Sequence, residues 1–297
     1  MRNRLIRTQI LTTSVLLIIA AAAPTTKAPA AETAYQLRYK LRAGESLVSR
    51  VVHFAETRTR MSDLDEQSSS RTTSEKVWQV TSVNEQGDMT FEYRINSVNL
   101  AQAVGDGQEM SYNSETDTEV PDIFKHVAET VGKPLATITI NARGQVLDRD
   151  KELKTPQLGV GELTIPLPEE GIKIGGQWSV PRELRVKLES GAFKRIQVRE
   201  LYTLEKVSAG IATIAIETQP LTPVSDPAVE SQLIQQLSRG QIKFDLDNGR
   251  LIGKTLNWSD EVVGFRGPDT SLRYDAKFTE ELLPTSSRTA RAGSTSR

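Results

Sequence analysis

Apolar and polar residues alternate along most of this chain, and a period of two predicts strands with one buried face. Met89, Phe91, Tyr93 and Ile95 are separated by Thr90, Glu92 and Arg94, with a turn at Asn84–Asp88 before them. Tyr35, Leu37, Tyr39 and Leu41 alternate in the same way ahead of an Ala43-Gly44 turn. Ser46–Met61 and Arg71–Val83 read as the arms of a long hairpin whose loop is the polar stretch 63–68. Leu135–Ile140, a turn at Asn141–Gly144 and a return from Gln145 follow.

Two segments change to a helical period. Pro121-Asp122 opens the first, with Ile123, Phe124, Val127, Ala128 and Val131 on one face and Gly132 at its end. Asp226 caps the second with Pro227 at its first position; Val229, Leu233, Ile234 and Leu237 form its stripe, and Gly240 is expected to close it.

After the first helix and its hairpin, the order of elements repeats. Gln177–Leu188 and Phe193–Val207 are extended around Ser190-Gly191, a turn at Ser208–Gly210 leads into Ile211–Ile216, and the second helix comes next. Ile242–Leu246, the turn Asp247–Gly249, the return Arg250–Trp258 and a strand Leu272–Phe278 complete the body. Val77–Val83 lies opposite Leu201–Val207, and Thr137–Val146 opposite Ile242–Leu251, which reads as an internal duplication. The expected fold is α+β and mostly antiparallel β. It has two related halves, each a curved sheet or half-barrel with one helix, at residues 31–150 and 171–284. Residues 151–170, rich in proline and glycine, are expected to link the halves, and the Ser/Thr/Arg-rich residues 285–297 to form a disordered tail.

The amino end alters the picture most. Arg2, Arg4 and Arg7 precede an apolar run that includes Val15–Ile19 and Ala20–Ala23, and Ala28-Pro29-Ala30 suits cleavage before Ala31. Residues 1–30 therefore read as a removable secretory signal. The unbroken run of about nine residues is far short of the roughly 20 needed for a stable span, so no membrane anchor is expected after cleavage. The expected location is secreted or periplasmic.

Charge and cysteine content narrow the partners. The chain has 37 basic and 38 acidic residues, and the signal carries four of the basic ones. The remainder keeps 33 of the 37, a balance of −5. Omitting Arg288, Arg291 and Arg297 of the tail leaves a body at −8. Such a body offers little to a phosphate backbone, so no nucleic-acid partner is expected. With no cysteine, the exported chain has no disulfide and must be held by burial alone.

Chemistry-bearing motifs are scarce. Of two histidines, His53 lies between Val52 and Phe54 in a strand, and His126 on the polar side of the first helix. His126 lies beside Asp122 and Glu129, but neither histidine has a local motif that suggests a base with its nucleophile, so both read as packing or surface residues. The G-x-S-x-G, Walker and H-E-x-x-H patterns are missing, and Gly159-Val160-Gly161 belongs to the linker. Asp245–Gly249 has the look of a calcium loop, but its glycine comes one place early and Leu256 stands where the closing acid belongs. A hairpin turn explains it better. Asp63, Asp65 and Glu66 read as a solvated loop tip, Trp78, Trp178 and Trp258 as core, and Asn257-Trp258-Ser259 as a formal glycosylation acceptor. The sequence designates no catalytic, metal or ligand-binding residue and no cofactor.

The hairpin patterns around Gly87 and Gly144, with their counterparts near Gly210 and Gly249, resemble those of an exported bacterial family of unknown function. That resemblance implies no activity and no site residues. The strand–helix order is similar to the half-barrels of periplasmic lipoprotein carriers, which implies a curved antiparallel sheet set against a helix. The expected function is a non-catalytic exported protein binding a hydrophobic ligand, lipid for instance, or an envelope protein. Alternatives are an assembly module working through a strand edge or the tail, and a hydrolase built on a carboxylate pair.

Overall fold

The computed structural model describes residues 33–150, 164–188 and 191–284. The expected signal at 1–30, the linker residues 151–163 and the tail at 285–297 lie outside the described residues.

Among the described residues, twelve strands and two helices follow in chain order. The first half holds β1 (Ser46–Met61), β2 (Leu64–Val83), β3 (Met89–Val104), β4 (Met110–Asn113), a 3-10 turn (Asp122–Phe124) running into α1 (Lys125–Ala128), β5 (Pro134–Ile140) and β6 (Val146–Arg149). The second holds β7 (Gln177–Lys187), β8 (Phe193–Ser208), β9 (Ile211–Pro220), α2 (Pro227–Leu233), β10 (Arg239–Asp245), β11 (Arg250–Val263) and β12 (Thr270–Leu282). The twelve strands join one antiparallel curved sheet in the order β6-β5-β3-β2-β1-β12-β11-β10-β9-β8-β7, with β4 beside β3. The fold class is α+β and mostly antiparallel, as the alternation predicts.

The two halves meet where β1 pairs with β12, from Ser49 opposite Leu282 to Met61 opposite Thr270. Each half is a meander that places its helix between the third and fourth of its long strands. Within the stretch expected to link them, Ile165 and Leu167 are buried in the main core.

One face of the sheet carries that core. Val80, Met89, Phe91, Tyr93, Ile95, Ile138, Ile140, Tyr202, Leu204, Ile214, Ile242, Phe244 and Phe278 are all in it and all buried. Each such side chain contributes about 1.5–3 kcal/mol relative to exposure. Residues 33–43 run across this face as a strap. Leu37, Tyr39 and Leu41 alternate inward as expected, but the segment is not a sheet strand. Its N–H groups turn instead to hairpin ends: that of Tyr39 donates to the Ala142 carbonyl (2.8 Å) and that of Lys40 to the Gly249 carbonyl (3.0 Å). The Tyr39 ring meets Phe244 edge-on at 5.3 Å.

Three local expectations are corrected. The polar stretch 63–68 is not a loop: β2 already begins at Leu64, because Arg58 makes two hydrogen bonds to Asp65 across the hairpin, and the turn is Ser62-Asp63 with Ser62 at φ 50°. The first helix is shorter than its stripe suggests, and Ile123 is 48% exposed. A single helical turn gains little by propagation, and β-branched Thr130 and Val131 lead directly to Gly132 at φ 77°. Gly240 does not end α2 but lies in β10, where an added Cβ would stand 1.9 Å from the Thr255 carbonyl oxygen. The start of α2 is as expected, with the Asp226 carboxylate accepting from the Ala228 N–H at 2.9 Å and Val229, Leu233 and Ile234 buried.

Candidate functional site

Strand alternation sorts the inner face into rows. From the closed end outward, Ser49 on β1 stands opposite Lys76 on β2 and Leu282 on β12. The next row is Ser74, Val51, Glu280 and, on β11, Lys254. Beyond it come Thr72, His53, Phe278 and Leu256, then Ser70, Ala55, Ala276 and Trp258.

Burial falls along these rows on β1 and β2. Val51 is 1% exposed and Ser74 2%, whereas His53, Thr72, Ala55 and Ser70, with Trp258 on β11, are only half-buried; Phe278, Leu256 and Ala276 in the same rows stay buried. The inner face is therefore sealed at one end and partly uncovered at the other, along β1 and β2. Leu100, Tyr112 and Phe124 belong to the core on the β3 side of the opening. On the β11 side, Ile234 at the C-terminal cap of α2 packs with Val262, Tyr274 and Ala276, and Trp258 and Ala55 lie against them. Ser68, Ser70, Thr72 and Ser74 make a hydroxyl stripe along β2 between these apolar flanks. The opening thus pairs apolar walls with a polar floor.

His53 faces this opening, its ring edge-on to Trp258 at 6.2 Å, and burial holds its pKa below the usual value. Trp258 keeps its Nε1 buried without a hydrogen-bond partner among the described residues. The other two tryptophans are packing residues, as expected. Trp78 stacks on Phe91 at 4.3 Å, and Trp178 stacks on Tyr202 at 5.2 Å and donates to the Pro166 carbonyl at 2.9 Å. His126 is exposed on α1.

The sealed end contains charge. Lys76 forms an ion pair with Glu280 across β1, and both side chains are buried. Lys254, also buried, has its Nζ 5.9 Å from the centre of the Phe278 ring. A small cavity of about 20 Å³ lies beside them, bounded by Tyr39, Ser49, Trp78, Arg250 and Glu280 among others. That is room for about one water molecule. Burial, and then the charge of Glu280, raise the pKa of the Tyr93 hydroxyl. Burial raises that of Tyr39 as well, against a hydrogen bond from the Ile165 N–H at 3.1 Å.

Carboxylates elsewhere have structural partners. Asp245 accepts from the N–H groups of Asp247 (3.0 Å) and Asn248 (2.9 Å), closing the hairpin turn the sequence suggests. Burial opposes its ionisation, but the bonds from Asn248 and Asp247 outweigh it and keep the carboxyl below its ordinary range. Asp65 is held by Arg58 and Arg60. Among the described residues no group of three His, Asp or Glu side chains could hold a metal ion. Among the described residues the buried carboxylates are Glu280 on β12 and Glu200 on β8, with three strands between them. Glu200 is paired with Arg182 and accepts from the Tyr202 hydroxyl at 2.6 Å. An open depression of about 570 Å³ at the tips of β1–β2 and β11–β12 is lined by Arg60, Asp63, Glu261 and Asp269, too polar for an apolar ligand.

Sequence reasoning passed over Ser74, Lys76, Lys254 and Glu280. A signal was present: Lys76 shares the parity of Trp78 and Val80, and Glu280 that of Phe278 and Leu282. A charge in phase with a buried set marks a buried ion.

No family model matches the chain, and no curated protein matches it. Among solved structures, the chain is similar to lipovitellin in a structure of its lipid–protein interactions, at 12% identity and TM-score 0.44 over 82% of this chain. It spans 25% of that chain's length. It is also similar to DynF of the dynemicin biosynthesis pathway of Micromonospora chersina, at 7% identity and TM-score 0.21, over 91% of this chain and 94% of that one. Likenesses this distant carry no inference about a ligand.

Proposed function

We propose that this is an exported, non-catalytic protein that binds an amphipathic hydrophobic molecule at the open end of its inner face. The observation that carries the reading is the fall in burial from Val51 and Ser74 to His53, Thr72 and Trp258 on a single sheet face. Here a half-open strip with a hydroxyl floor runs between apolar flanks, a combination that suits a ligand with an apolar body and a polar part.

Trp258 provides the test. A long-chain fatty acid brominated along its chain should quench part of the tryptophan fluorescence saturably, and Trp258→Phe should remove that part. Organic extracts of protein from its host should contain lipid at near-stoichiometric amounts. Absence of both saturable quenching and extractable lipid rejects the reading.

Export rests on the basic, apolar and small-residue order of residues 1–30. Intact-mass measurement should find the chain starting at Ala31; Met1 on a cytosolic species rejects export. The matching meanders of the two halves support an origin by internal duplication.

A second reading, assembly through a strand edge, is favoured by Val146 and Leu147, 51% and 54% exposed on the edge strand β6. Light scattering at high concentration separates the two. A concentration-dependent oligomer abolished by Val146→Lys supports assembly, and a monomer leaves ligand binding.

A further inference from the structure

Charge is unevenly spread over this acidic body. Residues 181–199, the edge hairpin of β7 and β8, carry six basic and two acidic residues, a balance of +4 where the body as a whole has −8. Strand parity sorts them. Val186, Ile196 and Val198 point to the inner face and are buried with Val229 and Leu233 of α2. The alternate positions Arg185, Lys187, Phe193 and Arg195 share the outer face, and all four are exposed.

Their arrangement is compact. Lys187 stands directly opposite Phe193, and Arg185 opposite Arg195. Phe193 is 59% exposed, the one exposed aromatic side chain among the described residues. The Arg185 guanidinium lies 5.3 Å from the centre of its ring, and Arg195 reaches Glu183 at 3.5 Å. The backbone beneath is fixed, because the Gln232 side chain of α2 accepts from the Lys187 N–H at 3.0 Å and donates to its carbonyl at 2.8 Å. The edge of β7 is thus already satisfied at Lys187, and what the tip offers a partner is side chains.

Those side chains select the partner. Cations at the tip of an acidic body call for an anionic surface and turn that tip toward it. Long basic side chains beside an exposed ring suit phosphates lying above acyl chains, where charge and ring are both used. A soluble acidic chain uses the charges and leaves the ring in water. Asp63, Glu261 and Asp269, at the tips of β1–β2 and β11–β12, are three strand spacings away or more. That is roughly 14 Å across the sheet, beyond the Debye length of about 10 Å at 0.1 M salt.

We infer that the β7–β8 hairpin tip docks on an anionic phospholipid surface, with Arg185 and Lys187 at the phosphates and Phe193 in the interface below them. This goes beyond the ligand-binding reading, which concerns the opposite face of the sheet, and either can fail without the other.

Co-sedimentation of the chain beginning at Ala31 with vesicles tests it, comparing phosphatidylglycerol mixed equally with phosphatidylcholine against phosphatidylcholine alone. Binding should favour the anionic vesicles roughly tenfold or more at low salt and be lost at about 0.5 M salt. Arg185→Gln/Lys187→Gln should weaken it roughly twentyfold, at about fivefold per charge, and Phe193→Ser roughly fivefold. These side chains are exposed, so the variants should keep the parent's melting temperature. Lys243→Gln/Lys277→Gln removes two exposed charges elsewhere on the outer face and should change binding less than about twofold. Binding of the parent to both vesicle types alike, or to neither, overturns the docking surface. So does binding that Arg185→Gln/Lys187→Gln leaves unchanged, or a loss that the Lys243/Lys277 pair shares equally. Binding that Phe193→Ser does not weaken, with the parent also retained on heparin, assigns the patch to a soluble polyanion and overturns the bilayer.

Discussion

Gly144 lies against the ring of Tyr39: a Cβ at position 144 would stand 2.5 Å from the ring's Cε2 and 2.6 Å from the Ile165 carbonyl oxygen. The glycine also sits at φ 75°. The β5–β6 turn, the strap and the segment that follows residue 163 are thereby locked together at one point. Gly144→Ala should cost roughly 2–5 kcal/mol, combining left-handed strain of about 1–2 with overpacking of about 1–3. Gly87 supplies the control, with φ 84° and nothing within 4 Å of its added Cβ. Gly87→Ala should lose only the strain, about 1–2 kcal/mol. Urea denaturation of the two variants measures the difference, and equal losses would refute the contact.

The Lys76–Glu280 pair predicts a non-additive cycle. Lys76→Met alone leaves a buried carboxylate with its partner removed and should destabilise by about 3–5 kcal/mol. Lys76→Met/Glu280→Leu, which removes both charges at similar volume, should recover most of that loss. Because Lys254 remains opposite position 280, recovery falls short of complete. Denaturant midpoints of the parent, the two single variants and the double variant decide it; additive losses exclude a coupled pair.

How far the sequence discloses this structure depends on how local each cause is. Met89, Phe91, Tyr93 and Ile95 declare their strand because every second residue is buried, and Asp226-Pro227 declares the start of α2 through a cap within two residues. The strap shows the limit of the pattern. Tyr35 to Leu41 alternate like a strand, yet their backbone partners are the distant turns at Ala142 and Gly249. Gly240 follows α2 at a plausible distance for a cap, but its cause lies on β11, which no local pattern conveys. The joining of β1 to β12 is more remote still, since it pairs the first long strand with the last. The opening at His53 and Trp258 shares this origin. Strand parity puts both inward, while only the tertiary arrangement leaves that part of the face uncovered.

His53 predicts a pH dependence near neutrality. Burial lowers its folded pKa below the unfolded value of about 6.5, so the unfolded chain binds the proton more readily between the two values. Stability contributed here is present above the unfolded pKa and falls as pH drops below it. Melting temperature should decline from pH 7 toward 5, and His53→Gln should flatten that decline. The carboxyl groups of Asp65 and Asp275, held low chiefly by hydrogen bonds from Arg58 and Arg273, act in a separate window below about pH 4. Their contribution is present above the unfolded carboxylate pKa and disappears in stronger acid. A slope between pH 7 and 5 that His53→Gln leaves unchanged would assign it to other groups.

Tyr35 and Ile172 exchange two backbone hydrogen bonds, at 2.8 and 2.9 Å, as a directly opposed antiparallel pair. Such pairs hold their Cα atoms about 5.5 Å apart, within the range a disulfide spans. The chain has no cysteine, so Tyr35→Cys/Ile172→Cys introduces one unambiguous pair. The closed loop would exceed 100 residues, for which chain entropy predicts up to about 4–5 kcal/mol, less any native strain. The oxidised variant should melt several degrees above its reduced form, and the difference should vanish with reductant. If the strap were displaced in the native ensemble, the cysteines would stay largely unoxidised and alkylate readily, so rapid labelling under native conditions would refute its fixed position. Formation of the bond without loss of fatty-acid binding would further place the ligand's entry away from residues 35 and 172, at the His53 end of the groove.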